Sequence, residues 1–319
     1  MSALMPPARC TADLPVDLTP DYLVSELKLD GSRYVLYIGA GSDPYGRQPD
    51  NTLLSRYVSK IDAKHVDRTL NVPQITGHDY GDMAGTILDG EMFLTDFPTT
   101  TSVMGSGPAV AVEKQMAGGW LNYWVWDVMQ FRGVDVRGRS LEDRRRILEA
   151  VVQRLDNPRI KLMPQWRGDH DAIFRDVAAK GGEGIIVKDT RMSYGIGWAK
   201  MKKSYEVSCF VSAFKPGNGK YAGGVGALAI SVYDREGNAV EVGFASGFDD
   251  ATRGALTEAD FGRVVDVYAQ EIGRTGRLRH PTFFRWRDEM HETDCTFDKL
   301  RDDLAKATGL KAKRWRGGG

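Results

Sequence analysis

The 319-residue sequence has little cysteine, no long apolar segment and no excess of charge of either sign. Its three cysteines, Cys10, Cys209 and Cys295, lie far apart and form no Cys-x-x-Cys pair. This spacing argues against a cysteine-based zinc site and favours a reducing compartment. No apolar run approaches the length needed to cross a bilayer. The first residues, MSALMPPARCTADLP, lack the apolar core of a signal peptide. We therefore expect a cytoplasmic protein without membrane attachment.

The formal charge is zero because 43 basic residues balance 43 acidic ones. A neutral total does not exclude a nucleic-acid partner, since the distribution of charge matters more than its sum. Basic residues cluster at 137–146, 200–203 and 274–287, and in the C-terminal stretch LKAKRWRGGG. Each cluster taken alone is more simply explained as a solvated surface.

The pattern of the sequence changes near residue 204, which predicts two domains. Before it, the strand patterns TLLSRYVS, ILDGEMFL, YWVWDVM and GIIVKD accompany the helix patterns SLEDRRRILEAVVQRL and DAIFRDVAAKGG. After it, the short strands FVSAFKP, GALAISVYD and AVEVGFASGF are separated by glycine-rich turns, and one helix is predicted over residues 257–273. This composition is typical of a small OB-type β-barrel. We predict domains at 1–204 and 205–319, with a single continuous α/β domain as the alternative.

Residues 26–34, ELKLDGSRY, allow two interpretations. Apolar residues alternate on either side of Asp30-Gly31, which is typical of two strands joined by a hairpin turn. Alternatively, Lys28 is a nucleophile. This stretch alone does not decide between them.

Further along the chain, Lys28 is followed by charged and aromatic residues whose chemical groups have complementary roles. Lysines and arginines neutralise a polyphosphate, an aromatic ring stacks on a base, and two carboxylates suffice for Mg²⁺, which binds few protein oxygens. The stretches concerned are Arg33, Ser55-Arg56, Asp89-Gly90-Glu91, Trp126-Asp127, Glu183 to Lys188, and Lys200 to Lys202.

This series resembles the motifs of ATP-dependent DNA ligases in the covalent nucleotidyltransferase superfamily, and in particular the small two-domain phage type. Six motifs in order are specific, whereas KxDG alone is a weak signal. The matching stretches lie between about residues 22 and 290: KLDGSR, SR at 55–56, LDGE, WVWDV, EGIIVK and WAKMKK, then GKYAGGVGAL, ASGFDDATR and RLRHPTFFRWRDE. The resemblance implies an α+β fold, with an adenylation domain of antiparallel sheets and helices before an OB-fold barrel.

The resemblance also implies a three-step reaction that seals a nick in double-stranded DNA during repair or replication. Lys28 attacks the α-phosphate of ATP and releases pyrophosphate. The AMP then moves to the 5′-phosphate of the nick, and the 3′-hydroxyl finally displaces it. The expected cofactors are ATP, as the donor of AMP, and Mg²⁺ or Mn²⁺. We expect a monomer, and the compact phage-like plan implies a bacterial or phage-infected cell.

The motif positions assign roles to individual residues by the same resemblance. Residues expected to bind the nucleotide are Glu26 and Trp126 at the adenine, Arg33 and Glu91 at the ribose and triphosphate, Lys200 and Lys202 at the α-phosphate, and Arg56 and Arg287 at other phosphates. Residues expected to hold the metal ion are Glu91 and Glu183. Residues expected to contact DNA are Asp30, Arg56, Lys215 and Lys220.

The last motif departs from the family pattern, which often ends in Arg-x-Asp-Lys. Here the letters are Arg287-Asp288-Glu289-Met290, so a glutamate replaces the aspartate and the lysine is absent. Arg285 is the candidate for a substitute contact with pyrophosphate.

Four alternatives compete with this interpretation: three are enzymes, and one, from another class, is a non-catalytic protein. An mRNA-capping guanylyltransferase also uses KxDGxR and an OB domain, but the SR, SGF and LRHP segments favour a ligase, and they also argue against an RNA ligase. A non-catalytic nucleic-acid-binding relative is expected to have lost Lys28 or the carboxylates, and this sequence keeps them. An NAD-dependent ligase is expected to carry a cysteine zinc module.

Overall fold

The computed structural model describes residues 17–39, 51–59, 63, 65–202, 204–270, 272–273 and 275–306. Cys10, nearly all of the predicted loop at 41–52, Arg274 and the basic C-terminal stretch lie outside these residues. The chain forms two compact units that divide between Met201 and Lys202. None of the described helices is both long and apolar enough to cross a membrane.

The first unit contains two sheets. Its strands are β1 Leu23–Leu27, β2 Ser32–Tyr37, β3 Thr52–Val58, β4 His65–Asp67, β5 Ile87–Phe93, β6 Asn122–Phe131, β7 Val134–Asp135, β8 Ile160–Leu162, β9 Gln165–Trp166, β10 Gly184–Asp189 and β11 Trp198–Lys202. The four-stranded sheet has the order β11-β10-β1-β9. The seven-stranded sheet has the order β4-β3-β2-β5-β6-β7, with β8 beside β6. The strands predicted at β3, β5, β6 and β10 are confirmed.

Five helices accompany these sheets: α1 Pro73–Thr76, α2 Phe97–Met104, α3 Pro108–Gly118, α4 Leu141–Leu155 and α5 His170–Ala179. The helices predicted at α4 and α5 are confirmed. The Ser140 hydroxyl accepts from the backbone N–H of Asp143 at 3.1 Å, as its capping pattern predicts. After α5, Gly181 has a φ of +89°, which glycine adopts at little cost. Sequence patterns did not predict α2 and α3.

The apolar core of the first unit supports the seven-stranded sheet. Buried side chains from β2, β5 and β6 pack with those of α4, including Leu36, Leu88, Val125 and Leu148, all 0% exposed. Their burial holds β2 and β5 rigidly side by side, and these two strands carry several of the predicted site residues.

The second unit is a five-stranded antiparallel sheet that curls into a barrel, with one parallel bridge between its edges. Its elements are β12 Tyr205–Pro216, β13 Val225–Tyr233, β14 Ala239–Ala245, α6 Asp250–Ala255, β15 Val264–Ala269, β16 Thr282–Trp286 and α7 Phe297–Lys306. The strand order is β14-β13-β12-β15-β16. The backbone N–H of Phe283 donates to the carbonyl of Ser246 at 2.8 Å, which joins the two edge strands. Five short strands closed in this way form the OB-type barrel that the sequence predicted.

The helix predicted over residues 257–273 is wrong. Glu258–Asp260 form a 3-10 turn, and Val264–Ala269 form β15. Thr257 and Asp260 do form a capping box of the kind that begins a helix, but it caps this short turn. The valines that follow are β-branched and lose side-chain freedom in a helix. They are buried between β12 and β16, so sheet packing overrides the helical periodicity.

Asp30-Gly31 is not a hairpin turn. β1 belongs to the four-stranded sheet and β2 to the seven-stranded sheet, so residues 28–31 pass from one sheet to the other. Only glycine fits at position 31, because a Cβ there would lie 2.4 Å from the carbonyl oxygen of Met92. Lys28 therefore stands where the chain crosses between the sheets.

Candidate active site

Lys28 lies at the end of β1, beside the start of β10. Its backbone N–H donates to the carbonyl of Gly184 at 3.0 Å. Its ammonium group forms an ion pair with Glu183, and the two side chains are only 18% and 16% exposed. The antiparallel register of β1 and β10, with Leu27 opposite Ile185, brings these two predicted site residues together.

Asp89 on β5 is fully buried and accepts hydrogen bonds from three side chains. It accepts from Arg33 Nε at 2.9 Å and Nη2 at 2.5 Å, from Trp126 Nε1 at 3.0 Å and from the Tyr194 hydroxyl at 2.7 Å. The guanidinium carbon of Arg33 lies 5.3 Å from the centroid of the Trp126 ring. One carboxylate thus orients two of the residues predicted to bind the nucleotide. The sequence assigned Asp89 no role, although its place inside LDGE was a usable signal.

Glu91 lies opposite Arg33 across β2 and β5 and is half-buried. Burial raises the pKa of the Glu91 carboxyl to about 8, against the opposing effect of Lys28, Arg33 and Arg56. These cations therefore lie close to Glu91. A carboxyl with such a pKa retains a proton through much of the neutral range unless a further positive charge approaches.

The two predicted metal ligands, Glu91 and Glu183, both lie near Lys28. Among the described residues, no group of three or more His, Cys, Asp or Glu side chains is placed to enclose a metal ion. Mg²⁺ usually binds one or two carboxylates together with substrate phosphates and water. The pair therefore fits a metal ion that arrives with a nucleotide, and it does not form an all-protein cage.

Glu26 and Lys188 form a buried ion pair across β1 and β10. The distance between Glu26 Oε2 and Lys188 Nζ is 2.6 Å, and both side chains are 2% exposed. Glu26 Oε1 also accepts from Gln165 at 2.7 Å. Lys188 Nζ lies 4.3 Å from the ring centroid of Trp198 and 5.9 Å from that of Trp126. The pair and Trp126 thus belong to one cluster of side chains between the two sheets. The sequence assigned Lys188 no role, although a lysine within the apolar strand GIIVKD was a signal.

Other predicted residues of the first unit lie nearer to solvent. Arg56 on β3 is exposed, and its Nη2 donates to the hydroxyl of Tyr57 at 3.1 Å. Asp30 is half-buried, and Lys200 on β11 is exposed. Lys202 ends β11 and is half-buried. The cluster between the two sheets therefore brings together six of the predicted residues, namely Glu26, Lys28, Arg33, Glu91, Trp126 and Glu183.

In the second unit, the predicted DNA contacts Lys215 and Lys220 are exposed. The Nζ of Lys215 lies 4.6 Å from the ring centroid of Phe244, and the Nζ of Lys220 lies 4.5 Å from that of Tyr221. Each of these two lysines therefore lies at the surface beside an aromatic ring.

Arg287 follows β16 and donates from Nη1 to Asp266 at 2.9 Å, while its Nε pairs with Glu289. Arg285 donates from Nε to the same oxygen of Asp266 at 2.9 Å. Arg287 and Met290 line a cavity of about 400 Å³ within this unit. Met290, at the position of the missing family lysine, therefore contributes an apolar wall beside Arg287.

Comparison with known proteins identifies both parts of the chain. Residues 11–204 match the family model described as ATP dependent DNA ligase domain. Residues 216–287 match the model described as DNA ligase OB-like domain. The first match covers more than half of the chain, and the two matches together confirm the predicted fold class.

Among curated proteins, the chain is similar to the DNA ligase of Methanocorpusculum labreanum, with 24% identity over 299 residues that cover 84% of this chain and 52% of that protein. It is also similar to the DNA ligase of Saccharolobus solfataricus, with 29% identity over 232 residues that cover 55% of this chain and 38% of that protein. The chain thus spans about half of the first relative and less of the second.

Among solved structures, the chain is similar to a Lig E DNA ligase, with a TM-score of 0.61 and 21% identity over 85% of this chain and 94% of that chain. A second similar structure, Pmar-Lig, has a TM-score of 0.59 and 18% identity over 83% of this chain and 63% of that chain. These likenesses show a shared fold.

Proposed function

The chain belongs to the ATP-dependent DNA ligase family, and we propose that it seals nicks in duplex DNA through a lysine–AMP intermediate on Lys28. The observation that carries this proposal is the cluster of side chains between the two sheets of the first unit. It combines a largely buried lysine, an acidic partner in Glu183, an oriented arginine in Arg33 and an aromatic wall in Trp126. These are the groups that nucleotide transfer to a lysine requires.

We propose that residues 1–204 form the adenylation domain and residues 205–319 the OB-fold domain. The division into compact units between Met201 and Lys202 supports this assignment. The first family match ends at residue 204 and the second begins at residue 216, on either side of the proposed boundary.

In the first step, the Lys28 amine attacks the α-phosphate of ATP. A bond forms between Nζ and the α-phosphorus, and the bond from that phosphorus to the bridging oxygen breaks, so pyrophosphate leaves with the electron pair. Lys28 must lose a proton before it attacks. Glu183 is its ion-pair partner and is therefore the nearest proton acceptor. Lys200 and Lys202 are proposed to contact the α-phosphate, where added positive charge stabilises the transition state.

The adenine is proposed to lie beside Trp126, with Glu26 and Lys188 offering an acceptor and a donor to its polar edge. Arg33 and Glu91 are proposed to contact the ribose and the triphosphate. Asp89 orients Arg33 before the nucleotide arrives, so less side-chain entropy is lost on binding.

A bound Mg²⁺ or Mn²⁺ would neutralise charge on the phosphate oxygens, and Glu91 and Glu183 would hold it. The positive charge of the ion would also favour the ionised form of Glu91 over the protonated form that burial favours.

The second substrate is proposed to be nicked double-stranded DNA, bound by a monomer in the cytoplasm during repair or replication. Arg56 and Asp30 are proposed to lie at the nick, and Lys215 and Lys220 on the DNA backbone. Exposed cations release counterions from DNA, so binding is expected to weaken as salt rises. Arg287 is proposed to contact the departing pyrophosphate in the first step.

The test is the mass of the intact protein after incubation with Mg²⁺ and ATP, followed by peptide mapping. The proposal expects one added AMP on Lys28, and transfer of that AMP to a 5′-phosphorylated nick. A parallel incubation with GTP and a diphosphate-ended RNA tests the capping alternative. No adduct with ATP, or an adduct on another residue, would overturn the proposal.

A further inference from the structure

Asp266 on β15 is a fully buried carboxylate to which sequence patterns assigned no role. Its Oδ1 accepts from the Ser208 hydroxyl at 2.7 Å, and its Oδ2 accepts from Arg285 Nε and Arg287 Nη1, each at 2.9 Å. Burial acts to raise the pKa of Asp266, but the hydrogen bonds from Ser208, Arg287 and Arg285 outweigh it and hold the pKa below its usual range. Asp266 therefore carries a negative charge at neutral pH.

The backbone register fixes this cluster. Ser208 on β12 and Arg285 on β16 are the cross-strand neighbours of Asp266, one on each side of β15. The backbone N–H of Arg287 donates to the carbonyl of Val264 at 2.9 Å, which holds Arg287 against the same strand. The positions of both guanidinium groups thus depend on β15 and not on a mobile loop.

The outer sides of the two arginines have exposed partners. Arg285 Nη2 donates to Glu206 at 2.6 Å, and Arg287 Nε donates to Glu289. The Glu206 side chain is 28% exposed and that of Glu289 is 65% exposed, whereas that of Asp266 is 1% exposed. Guanidinium groups bind carboxylate and phosphate oxygens in the same planar manner. The outer donors therefore suit phosphate oxygens, since exposed ion pairs exchange partners at small cost.

We propose that Asp266 is a positioning residue for the first step of the reaction. It holds Arg285 and Arg287 from the buried side, so that their outer N–H donors meet the oxygens of pyrophosphate as it leaves. Asp266 itself touches neither nucleotide nor DNA and acts only through the arginines. This inference rests on the proposed function, since it requires that Lys28 be adenylated with release of pyrophosphate.

The principal test is Asp266→Asn in the full chain, a substitution that keeps the shape and removes the charge. Two rates are measured in one preparation: adenylation of the enzyme at saturating ATP, and sealing of a synthetic adenylated nick without ATP. We expect adenylation to slow by about tenfold or more, and sealing by less than about twofold, because misplaced groups cost rate only in the step that uses them.

A double-mutant cycle separates positioning from general support of the fold. If Asp266 acts through the two arginines, then Asp266→Asn adds little further loss to adenylation in an Arg285→Ala/Arg287→Ala background, in which the arginine pair is treated as one site of the cycle. If it acts independently, the two losses multiply. The matched control is Asp260→Asn, which removes another buried acid of the same unit, one that accepts from Arg263 at 2.6 Å. The control should lower the melting temperature and leave the ratio of the two rates unchanged.

Ser208→Ala provides a second variant if Asp266→Asn fails to fold. It removes one hydrogen bond to Oδ1 and leaves both arginines in place, so a smaller loss in the same step is expected. Equal losses in the two rates, multiplying losses in the cycle, or the same ratio change in Asp260→Asn would overturn the inference. If the unsubstituted protein shows no AMP on Lys28, the proposed function itself fails.

Discussion

The two units hold their cations in different ways. In the first unit, the side chains of Arg33 and Lys188 are only 12% and 2% exposed, and their carboxylate partners, Asp89 and Glu26, are buried. In the second, the side chain of Arg285 is 51% exposed and that of Arg287 is 26% exposed, and one buried acid, Asp266, anchors both. Desolvated pairs are costly to break and keep a site in one arrangement. Exposed pairs exchange partners readily. The first unit is thus suited to hold a nucleotide, and the second to bind and release an anion.

The largest effect is expected at Lys28 in the first unit. Lys28→Ala removes the proposed nucleophile, so adenylation and all sealing that begins with ATP should be lost. Transfer of label from α-labelled ATP to the protein measures this. Lys180→Ala is a matched control, because Lys180 is an exposed lysine that pairs with Asp176 on α5, and it should label normally. Labelling of the Lys28→Ala protein on another residue would contradict the assignment.

The next prediction tests whether breaking a buried ion pair of the first unit lowers stability more than breaking an exposed pair of the second unit. Lys188→Met leaves Glu26 without its partner in a buried site and should lower the free energy of unfolding by about 3–5 kcal/mol. Glu289→Gln removes an exposed partner of Arg287 in the second unit and should lower it by less than about 1 kcal/mol. Urea denaturation of both variants measures the difference. Equal losses would remove the distinction between the two units.

Arg287 of the second unit is expected to affect the rate of adenylation and not the rate of sealing. Arg287→Ala should slow adenylation by about 100-fold, the effect typical of losing one donor to a developing charge, and should leave sealing of an adenylated nick nearly unchanged. Pyrophosphate is present only in the first step, and Met290 supplies no additional cation beside Arg287. The two rates are measured with saturating ATP and with a synthetic adenylated nick. Similar losses in both would show that Arg287 is not specific to the first step.

The smallest expected effect is a change in stability with pH, which comes from Glu91 of the first unit. Because its pKa is about 8 in the folded protein and near 4.3 in an unfolded chain, the folded state binds more protons between these values. Stability due to this group should therefore fall as pH rises from 6 to 8.5. The effect should be on the order of 1 kcal/mol, since one pKa unit corresponds to about 1.4 kcal/mol and this carboxyl remains in contact with solvent. Melting temperatures without nucleotide or metal measure it.

Glu91→Gln provides the comparison for that measurement. The variant cannot titrate at this position, so its stability relative to the unsubstituted protein should improve as pH rises. A constant difference between the two proteins from pH 6 to pH 8.5 would show that Glu91 is ionised throughout.

Local sequence predicted the structure correctly where residues close in the chain determine it. The start of α4 at Ser140 and the end of α5 before Gly181 depend on caps and backbone preferences within a few residues. The order of motifs around Lys28 likewise identified the family before any contact was known. Local signals misled where packing decides the outcome, as in β15, whose valines carry a helical spacing but are buried between two strands.

The sequence by itself determined which chemical groups the protein carries and in what order: a lysine in KLDG, two carboxylates that we predict to bind a metal ion, and arginines in the last motif. Only the tertiary structure decided which groups meet. It placed Lys28 against Glu183, buried Lys188 with Glu26, and set Asp266 beneath Arg285 and Arg287. The physical reason is that strand register and sheet crossing join residues far apart in the chain, and burial then selects their partners, because a buried charge is stable only when it is paired.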